Sequence, residues 1–394
     1  MKKYEKQLKV TDMTLKKTMD LGIIIGENSY NFLSFDEYVE HFLLPFSPRF
    51  CNIDFAISSL SSIQVKNIVV FVKRDKDIVQ NYLVRGWPQI KFYVFDYLDI
   101  VEKFSSFLSD FSREHSLEGI IILKGNYPIW FDIKTLRDEL EKNINLAIKY
   151  SYNLKNYYSG LVVDKNIFIK KYESFLLDEN SLDIDVMGKI IKEFDIRSVD
   201  AKGYIMPFSS LMEYYNTHIG MIDDYLVLDL YNAYVPVNRS LSVISSSMFG
   251  RGSYVINSIV GENVDLYGRV ENSIIFSNVR VDRHAFIKNS LILPGNHIGH
   301  NAFIINSIID EYSGDSSIPT IEPYASIGSE KATKVSKEFP EILNFGVTLI
   351  GKDVRVPSNM KIGGNCFVDS FIPLQLLRQK KVLKDGETLL AKEK

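Results

Sequence analysis

The sequence is poor in cysteine and histidine and has no long apolar run, and each shortage excludes a class of protein. Its 394 residues include only two cysteines, Cys51 and Cys366, which is too few for a disulfide framework or a zinc site. The six histidines show no metal-ligand spacing. No apolar run reaches the roughly 20 residues of a membrane span, and the start MKKYEKQLKV lacks the apolar centre of a signal peptide. We therefore predict a cytoplasmic protein with no metal, cofactor or membrane partner of its own.

The net charge of the chain limits its possible partners, and its length predicts the number of domains. A net charge of -3 provides neither the basic surface that binds nucleic acid nor an acidic tail, so no nucleic-acid partner is expected. The aromatic content of 12% argues against disorder. A chain of 394 residues is too long for a single hydrophobic core, and this length predicts two domains.

One six-residue phrase recurs four times between residues 255 and 309. It reads apolar, variable, Asn, Ser, apolar, apolar, and its Asn positions 257, 272, 289 and 306 are 15, 17 and 17 residues apart. This spacing is the length of one coil of a β-solenoid with three six-residue sides. It predicts a left-handed parallel β-helix of hexapeptide repeats over residues 236–370. A β-sandwich of irregular strands is the alternative.

The first half of the chain alternates short apolar runs with segments of helical spacing. Apolar runs at residues 21–26, 68–72 and 120–123 predict buried strands of a parallel sheet. With the helices between them, they predict an α/β domain at residues 19–235 that has a ligand crevice at the carboxyl ends of its strands. The other predicted segments are an N-terminal extension at 1–18, a linker around Pro236 and a C-terminal tail of unassigned structure at 371–394.

Residues 45–60, PFSPRFCNIDFAISSL, resemble a phrase of glucose-1-phosphate adenylyltransferase, also called ADP-glucose pyrophosphorylase. In that family the phrase usually reads P-F-G-G-[KR]-[YF]-R-[LI]-I-D-F-x-L-S-N, and the similarity continues at residues 68–72, 85–87 and 160–164. The resemblance implies a Rossmann-like nucleotidyltransferase (GT-A-like) domain followed by the β-helix. Active members use Mg²⁺ to join ATP and glucose 1-phosphate into ADP-glucose and diphosphate in glycogen biosynthesis.

The loop that should hold phosphate is degenerate in this chain. Active members follow the first strand with a G-G-x-G-x-R-L loop, in which bare backbone approaches phosphate and an Arg offsets its charge. Here Gly26 is the glycine that remains, Glu27 adds negative charge, and Asn31 stands where the Arg is expected. The loop is therefore expected to hold phosphate poorly.

Four further groups that the family's chemistry needs are replaced or missing. The Lys of a K-P-A-V phrase corresponds to His41, which is shorter and mostly neutral at pH 7. The G-D pair that holds Mg²⁺ corresponds to Gly125 and Asn126, and Asn carries no charge. The second metal Asp, in W-R-D-V-G-T, corresponds to Pro207, and the E-K-P segment is missing before Gly160. Five independent losses predict that no catalytic site is intact.

The degenerate loop, together with the phrase at Phe35–Tyr38, resembles the GlgD-type subunit more than the catalytic GlgC-type subunit. This resemblance implies a regulatory, non-catalytic subunit of an oligomer, such as a heterotetramer, whose GlgC-type partner binds the Mg²⁺. Ser47 and Pro48 in place of Gly-Gly, and Cys51 in place of Arg, depart from that group as well.

A few residues are candidates for binding sites that survive in a degenerate pocket. Gly26, Gly125 and Asp54 are the candidate remnants of a nucleotide site, and Arg49 is the candidate effector-binding residue. Asp54 also fits an N-cap of the helix that follows, which is the interpretation we favour. We interpret His41 as a surface or pocket-edge residue rather than a base, because no nucleophile or carboxylate lies at useful spacing.

Three other functions stay open. The first is a divergent sugar-phosphate nucleotidyltransferase with a rearranged active site. The second is a hexapeptide acyltransferase, which would use His284, His297 or His300 as its base. The third is a sensor whose degenerate pocket binds an effector without turnover.

Overall fold

The computed structural model describes residues 20–26, 32–35, 41–96, 99, 103–115, 117–131, 145–152, 155–173, 186–200, 203–222 and 246–391. The chain divides into two compact units. The first holds residues 20–26 and the described part of 52–206, and the second holds the described parts of 30–51, 207–236 and 241–394. The predicted N-terminal extension, Asn31 and the linker around Pro236 lie outside the described residues.

The described strands up to residue 205 are β1 (Leu21–Ile25), β2 (Pro45–Phe46), β3 (Phe50–Cys51), β4 (Asn67–Val72), β5 (Lys91–Asp96), β6 (Gly119–Lys124), β7 (Ile129–Phe131), β8 (Leu146–Tyr152), β9 (Lys155–Asp164), β10 (Ser198–Asp200) and β11 (Gly203–Ile205). The described helices are α1 (Asn52–Ser62), α2 (Lys76–Gly86), α3 (Ser105–Glu114), α4 (Lys165–Ile167), α5 (Val186–Glu193), α6 (Leu211–Gly220) and α7 (Leu374–Lys380), and a π-helical turn spans Phe168–Tyr172. None of the helices in the described part of the chain is long and apolar enough to span a bilayer.

The first unit is built on a mixed sheet with the strand order β10-β8-β9-β6-β1-β4-β5. Strand β1 pairs in parallel with both β4 and β6, and β5 continues the parallel part beyond β4. The predicted parallel strands at 21–26, 68–72 and 120–123 are thus confirmed. Strand β9 runs antiparallel between β6 and β8, and nothing in its composition had predicted that direction.

Burial on both faces explains the continuous apolar runs of the central strands. Every residue of β1 and β6 is buried, as strands covered by helices on both sides require. Helix α1 packs closely enough that a Cβ at Gly22 would lie 2.7 Å from Leu60. A small residue is therefore needed at this point of β1.

The second unit is a parallel solenoid of stacked coils. Successive strands pair in register, so that Tyr254, Arg269, Phe286, Phe303 and Ser326 lie above one another on one side. Apolar residues on the inner side of the strands form a single core along the stack. The predicted hexapeptide-repeat solenoid is confirmed, while its left-handed winding stays a prediction. Its strands are Met248–Phe249, Tyr254–Ile256, Ile259–Val260, Asp265–Leu266, Arg269–Glu271, Ile274–Ile275, Arg280–Val281, Phe286–Ile292, His297–Ile298, Phe303–Ile309, Ser326–Ile327, Thr348–Ile350, Lys361–Ile362, Phe367–Val368, Val382–Leu383 and Thr388–Leu389.

The Asn-Ser pair of the repeated phrase forms two hydrogen-bonded ladders. Asn257, Asn272, Asn289 and Asn306 take the left-handed conformation at successive corners, with φ of 44°, 46°, 47° and 46°. Each of the first three donates from its Nδ2 to the Oδ1 of the Asn in the next coil, at 3.0, 2.8 and 3.0 Å. The Ser that follows each of these three Asn accepts from the backbone N–H of the corresponding Ser in the next coil. Asn suits these corners because it tolerates positive φ and can pair with its own kind.

The coils continue beyond residue 370. Strands Val382–Leu383 and Thr388–Leu389 pair in parallel with Lys361–Ile362 and Phe367–Val368, after the turn of α7. The stretch predicted as a C-terminal tail of unassigned structure therefore adds strands to the solenoid.

Two segments from the predicted first domain also belong to the second unit. Strands β2 and β3 form a small antiparallel pair, and Ser277 Oγ in the solenoid donates to Pro48 O, 2.7 Å away, in the turn between them. In α6, Tyr214 OH donates to Pro45 O at 2.7 Å and Tyr215 OH donates to Asn289 O at 2.6 Å. Residues 45–51, the first part of the family phrase, are thus attached to the solenoid within the second unit.

Candidate functional site

The carboxyl ends of β1 and β6 lie side by side in the first unit. Ile25 is in register with Lys124, and Gly125 N donates to Ile25 O at 2.9 Å. Strand order reverses here, because the chain proceeds from β1 to β4 and β5 on one side and then returns to β6 on the other. Open α/β sheets bind ligands at such a switch point. The structure therefore brings Gly26 and Gly125 together at the expected crevice, and their role in binding a nucleotide stays a prediction.

Asn126 is built into the turn that follows β6. It is only 2% exposed, and its backbone carbonyl accepts a hydrogen bond of 2.9 Å from Asn52 Nδ2 at the start of α1. The neutral side chain and the engaged carbonyl do not fit Mg²⁺, which proteins bind mainly through carboxylates. Within the described ranges, no group of three or more His, Cys, Asp or Glu side chains comes together as a metal site would require.

Lys124 was not singled out from the sequence. It ends β6 directly before Gly125 and is 5% exposed, although Lys is among the residues that are least often buried. The signal that could have revealed it is a basic residue closing an otherwise apolar strand, in the run Gly119–Lys124. The basic side chain of Lys124 directly precedes the position of the family's G-D pair, and the G-D phrase itself specifies no basic residue.

The predicted N-cap role of Asp54 is wrong. Helix α1 begins two residues earlier, at Asn52, so Asp54 lies inside its first turn. The Asp54 carboxylate is fully buried and accepts from Trp87 Nε1 at 2.9 Å and from Tyr82 OH. It therefore ties α1 to α2 and to the residue that follows α2, and both of its oxygens are engaged. Trp87 belongs to the core.

His41 is not at a surface or a pocket edge, so that interpretation is wrong. Its side chain is 2% exposed, at the start of the 3₁₀ turn His41–Leu43 in the second unit. The ring centroid lies 5.0 Å from that of Phe32, in an edge-on arrangement. Phe32 in turn packs edge-on against Phe208 and Tyr214, and burial beside these rings suits packing better than binding of a phosphate.

Pro207 leads into the helix that fastens the family phrase to the solenoid. It follows Met206, whose N–H donates to Pro128 O at 3.0 Å, and it precedes the N-cap Ser210 of α6. Ser210 Oγ accepts from Glu213 N at 3.2 Å. Proline has neither a carboxylate nor an N–H, so this position supplies no charged ligand to a metal.

Arg49 forms an ion pair within the second unit. Its Nε lies 3.5 Å from Glu262 Oε1, and its guanidinium carbon lies 5.9 Å from the centroid of the Phe50 ring. The nearby carboxylate offsets the charge that an anionic effector would need. The predicted effector-binding role of Arg49 stays a prediction.

The three histidines proposed for an acyltransferase lie in different surroundings. His297 is buried and uses both ring nitrogens, with Nδ1 3.0 Å from Ser316 O and Nε2 2.9 Å from Asp282 Oδ2. Those bonds fix the ring and leave it without a nitrogen for an incoming substrate. His300 lies edge-on to Tyr324, and His284 occupies a corner with φ of 62°. His297 is thus a structural residue.

The chain is similar to known glucose-1-phosphate adenylyltransferases. It is 36% identical over 180 residues to the protein of Lachnospira eligens, which covers 46% of this chain and 41% of that relative. It is 26% identical over 193 residues to the protein of Acetivibrio thermocellus, covering 47% and 43%, and 23% identical over 210 residues to that of Mycoplasma mobile, covering 44% and 55%. The matches therefore span about half of each relative or less. Residues 242–350 match the family model described as GlmU-like, C-terminal hexapeptide.

Proposed function

We propose that this chain is a GlgD-type, non-catalytic regulatory subunit of glucose-1-phosphate adenylyltransferase in glycogen biosynthesis. It acts by associating with a catalytic GlgC-type subunit, which carries the Mg²⁺ site. One observation carries the proposal, namely that the Gly125-Asn126 turn, which the resemblance aligns with the family's metal-binding G-D pair, stands at the switch point of the sheet. Similarity to three adenylyltransferases supports the family, and the character of the turn supports the loss of catalysis.

The chemistry explains why this replacement matters. Transfer of the adenylyl group needs the sugar phosphate in line with the α-phosphorus of ATP, and charges that offset those of the phosphates. The Asn126 amide cannot provide a negative ligand to the metal, and the carboxylate of Asp54 already binds Tyr82 and Trp87. Restoring one of these groups would not restore catalysis, because catalytic groups that act as a unit are ineffective when any of them is missing.

The first coil of the solenoid supports association with another subunit. Its strand Tyr254–Ile256 is exposed, with 63% of Tyr254 and 48% of Ile256 accessible, and Met248 and Phe249 on the strand that precedes it in sequence are half exposed. Contiguous apolar side chains of this kind mark interaction surfaces on soluble proteins. We propose that the catalytic subunit covers this first-coil surface in the oligomer.

The test compares ADP-glucose formation by this chain, by the catalytic subunit of the same host, and by the mixture, each with ATP, glucose 1-phosphate and Mg²⁺. We expect no product from this chain alone, and a changed turnover or effector response together with a larger complex in the mixture. Val255→Asp with Ile256→Asp should abolish both changes, while Ile318→Asp, also on an exposed side chain of the solenoid, should leave them intact. Unchanged mass and kinetics on mixing would reject the regulatory role.

One observation favours a second function, a divergent sugar-phosphate nucleotidyltransferase with a rearranged site. The buried Lys124 places a cation at the switch point, where it could offset the charge of a phosphate. Under this alternative the chain forms ADP-glucose by itself, and Lys124→Met removes that activity while the melting temperature stays within a few degrees. Activity that survives the substitution would place the chemistry elsewhere.

A further inference from the structure

A cleft lined by arginine and aromatic side chains opens on the outside of the first coils of the solenoid. It has a volume of about 550 Å³, within the range of small-molecule pockets. Its walls include three arginines and three aromatic rings, namely Arg251, Arg269, Arg283, Tyr254, Tyr267 and Phe286. We call it the arginine cleft. It lies entirely in the second unit and is separate from the switch point of the sheet.

The coil geometry explains why these residues converge. Tyr254, Arg269 and Phe286 are in register on successive coils, so their Cα atoms are about 4.8 Å apart along the stack. Arg251 and Arg283 stand at the preceding corner, next to Gly252 and His284, which both have positive φ. Residues far apart in sequence therefore meet along one edge, and a periodic pattern of apolar residues gives no hint of them.

The ion pairs around the arginine cleft leave it with excess positive charge. Arg269 is bonded to Glu271 and lies over the ring of Phe286, with its guanidinium carbon 5.6 Å from the centroid. Arg251 and Arg283 are exposed, and neither forms a side-chain hydrogen bond or ion pair with any residue in the described ranges. The three guanidinium groups of the cleft thus carry three positive charges, against the one negative charge of the neighbouring Glu271 carboxylate.

The carboxylate that precedes Arg283 in the chain is already engaged. Asp282 binds Arg280 Nε at 2.9 Å and His297 Nε2 at 2.9 Å, so it is not available to neutralise Arg283. The ring of the neighbouring Tyr267 packs against Gly250, where a Cβ would lie 2.1 Å from it, and the guanidinium carbon of Arg280 lies 5.9 Å from its centroid. The arginine cleft therefore combines two uncommitted cations with a wall of aromatic rings.

We infer that the arginine cleft binds a phosphate monoester whose organic part is small, flat and apolar. A phosphate dianion matches the two uncommitted guanidinium groups in charge, and the guanidinium fork binds phosphate oxygens in pairs. The rings of Tyr254, Tyr267 and Phe286 then contact the organic part. This inference does not rest on the regulatory role proposed above, since it concerns binding by this chain alone.

Calorimetric titration of the full chain tests the inference with three probes, phenyl phosphate, inorganic phosphate and phenol. We expect saturable binding of one phenyl phosphate per chain, weaker binding of inorganic phosphate and none of phenol. Arg251→Ala with Arg283→Ala should weaken phenyl phosphate binding at least about tenfold, as loss of charge-assisted hydrogen bonds does. Tyr254→Ala should weaken phenyl phosphate binding and leave that of inorganic phosphate unchanged.

Arg378→Ala is the matched control, because this exposed arginine lies in the same unit and pairs with Glu322. Its affinity for phenyl phosphate should equal that of the unmodified chain. The inference fails if the chain shows no saturable binding, or if the double variant binds as tightly as the Arg378 control. Equal affinity for inorganic phosphate and phenyl phosphate would overturn the assignment of an ester with an apolar part.

Discussion

Replacement of Asn289 by Ala tests the side-chain ladder that joins the coils. Asn289 donates to Asn306 Oδ1 at 3.0 Å and accepts from Asn272 Nδ2 at 2.8 Å, so the change removes two hydrogen bonds. Each contributes about 1 kcal/mol net. The φ of 47° adds roughly 1 kcal/mol for an alanine forced into the left-handed region. The expected loss is therefore about 3 kcal/mol in the free energy of local opening.

Hydrogen exchange of the backbone amides is the suitable assay, because a chain with two units need not unfold in one step. Peptides that cover residues 286–309 should exchange about a hundredfold faster in the variant, which corresponds to about 3 kcal/mol. Exchange in strands of the first unit should stay unchanged.

Two control variants separate the hydrogen bonds from the backbone strain. Asn289→Gly loses the same bonds but tolerates positive φ, so it should cost about 1 kcal/mol less than the alanine variant. Asn301→Ala keeps the ladder and changes only an exposed corner with φ of 57°, and it should cost roughly 1 kcal/mol. If the glycine and alanine variants at 289 were equally destabilised, or if Asn289→Ala left exchange unchanged, the reasoning would be refuted.

Three further predictions concern single buried groups. Trp87→Phe removes a hydrogen-bond donor to the buried carboxylate of Asp54, so it should lower the free energy of unfolding by about 2 kcal/mol. Urea titration followed by the fluorescence of the remaining tryptophan measures this change. An unchanged midpoint would contradict the hydrogen bond. Burial lowers the pKa of His218 from 6.5 to about 4, so the unfolded chain takes up a proton before the folded one as pH falls. Stability should therefore decrease by up to about 3 kcal/mol between pH 6.5 and 4, and melting curves of His218→Gln should lack this slope. Asn126→Asp places a charge in a buried turn, so it should lower the melting temperature at pH 7. The variant should also form no ADP-glucose in the synthesis assay. Product formation would show that the chain tolerates the loss of the other catalytic groups.

The repeat and the central strands could be predicted because their patterns are local. Burial on both faces forces continuous apolar runs at β1 and β6, and four successive coils place an Asn at a corner with positive φ. The direction of β9 could not be predicted, since parallel and antiparallel pairing put similar demands on one isolated strand.

The site was harder to predict because it depends on partners that are distant in sequence. A shift of two residues in the start of α1 turns Asp54 from a cap into a buried acceptor for Trp87, 33 positions away. His41 packs against Phe32, which in turn contacts Phe208 and Tyr214 from a distant part of the sequence. The arginine cleft arises from stacking of coils, and residue spacing within one coil does not reveal it.

The first part of the phrase that suggests an adenylyltransferase, residues 45–51, packs against the solenoid within the second unit. Pro45 O and Pro48 O each accept a hydrogen bond from another part of the second unit, and Arg49 pairs with Glu262. Its loss would expose unsatisfied carbonyl groups and loosen the attachment of β2 and β3, whether or not the chain transfers a nucleotide. In a lineage that had lost the reaction, selection for the fold alone would keep the residues of this phrase recognisable. Sequence similarity in this stretch therefore indicates common ancestry and a shared way of packing, and it is weak evidence for catalytic activity.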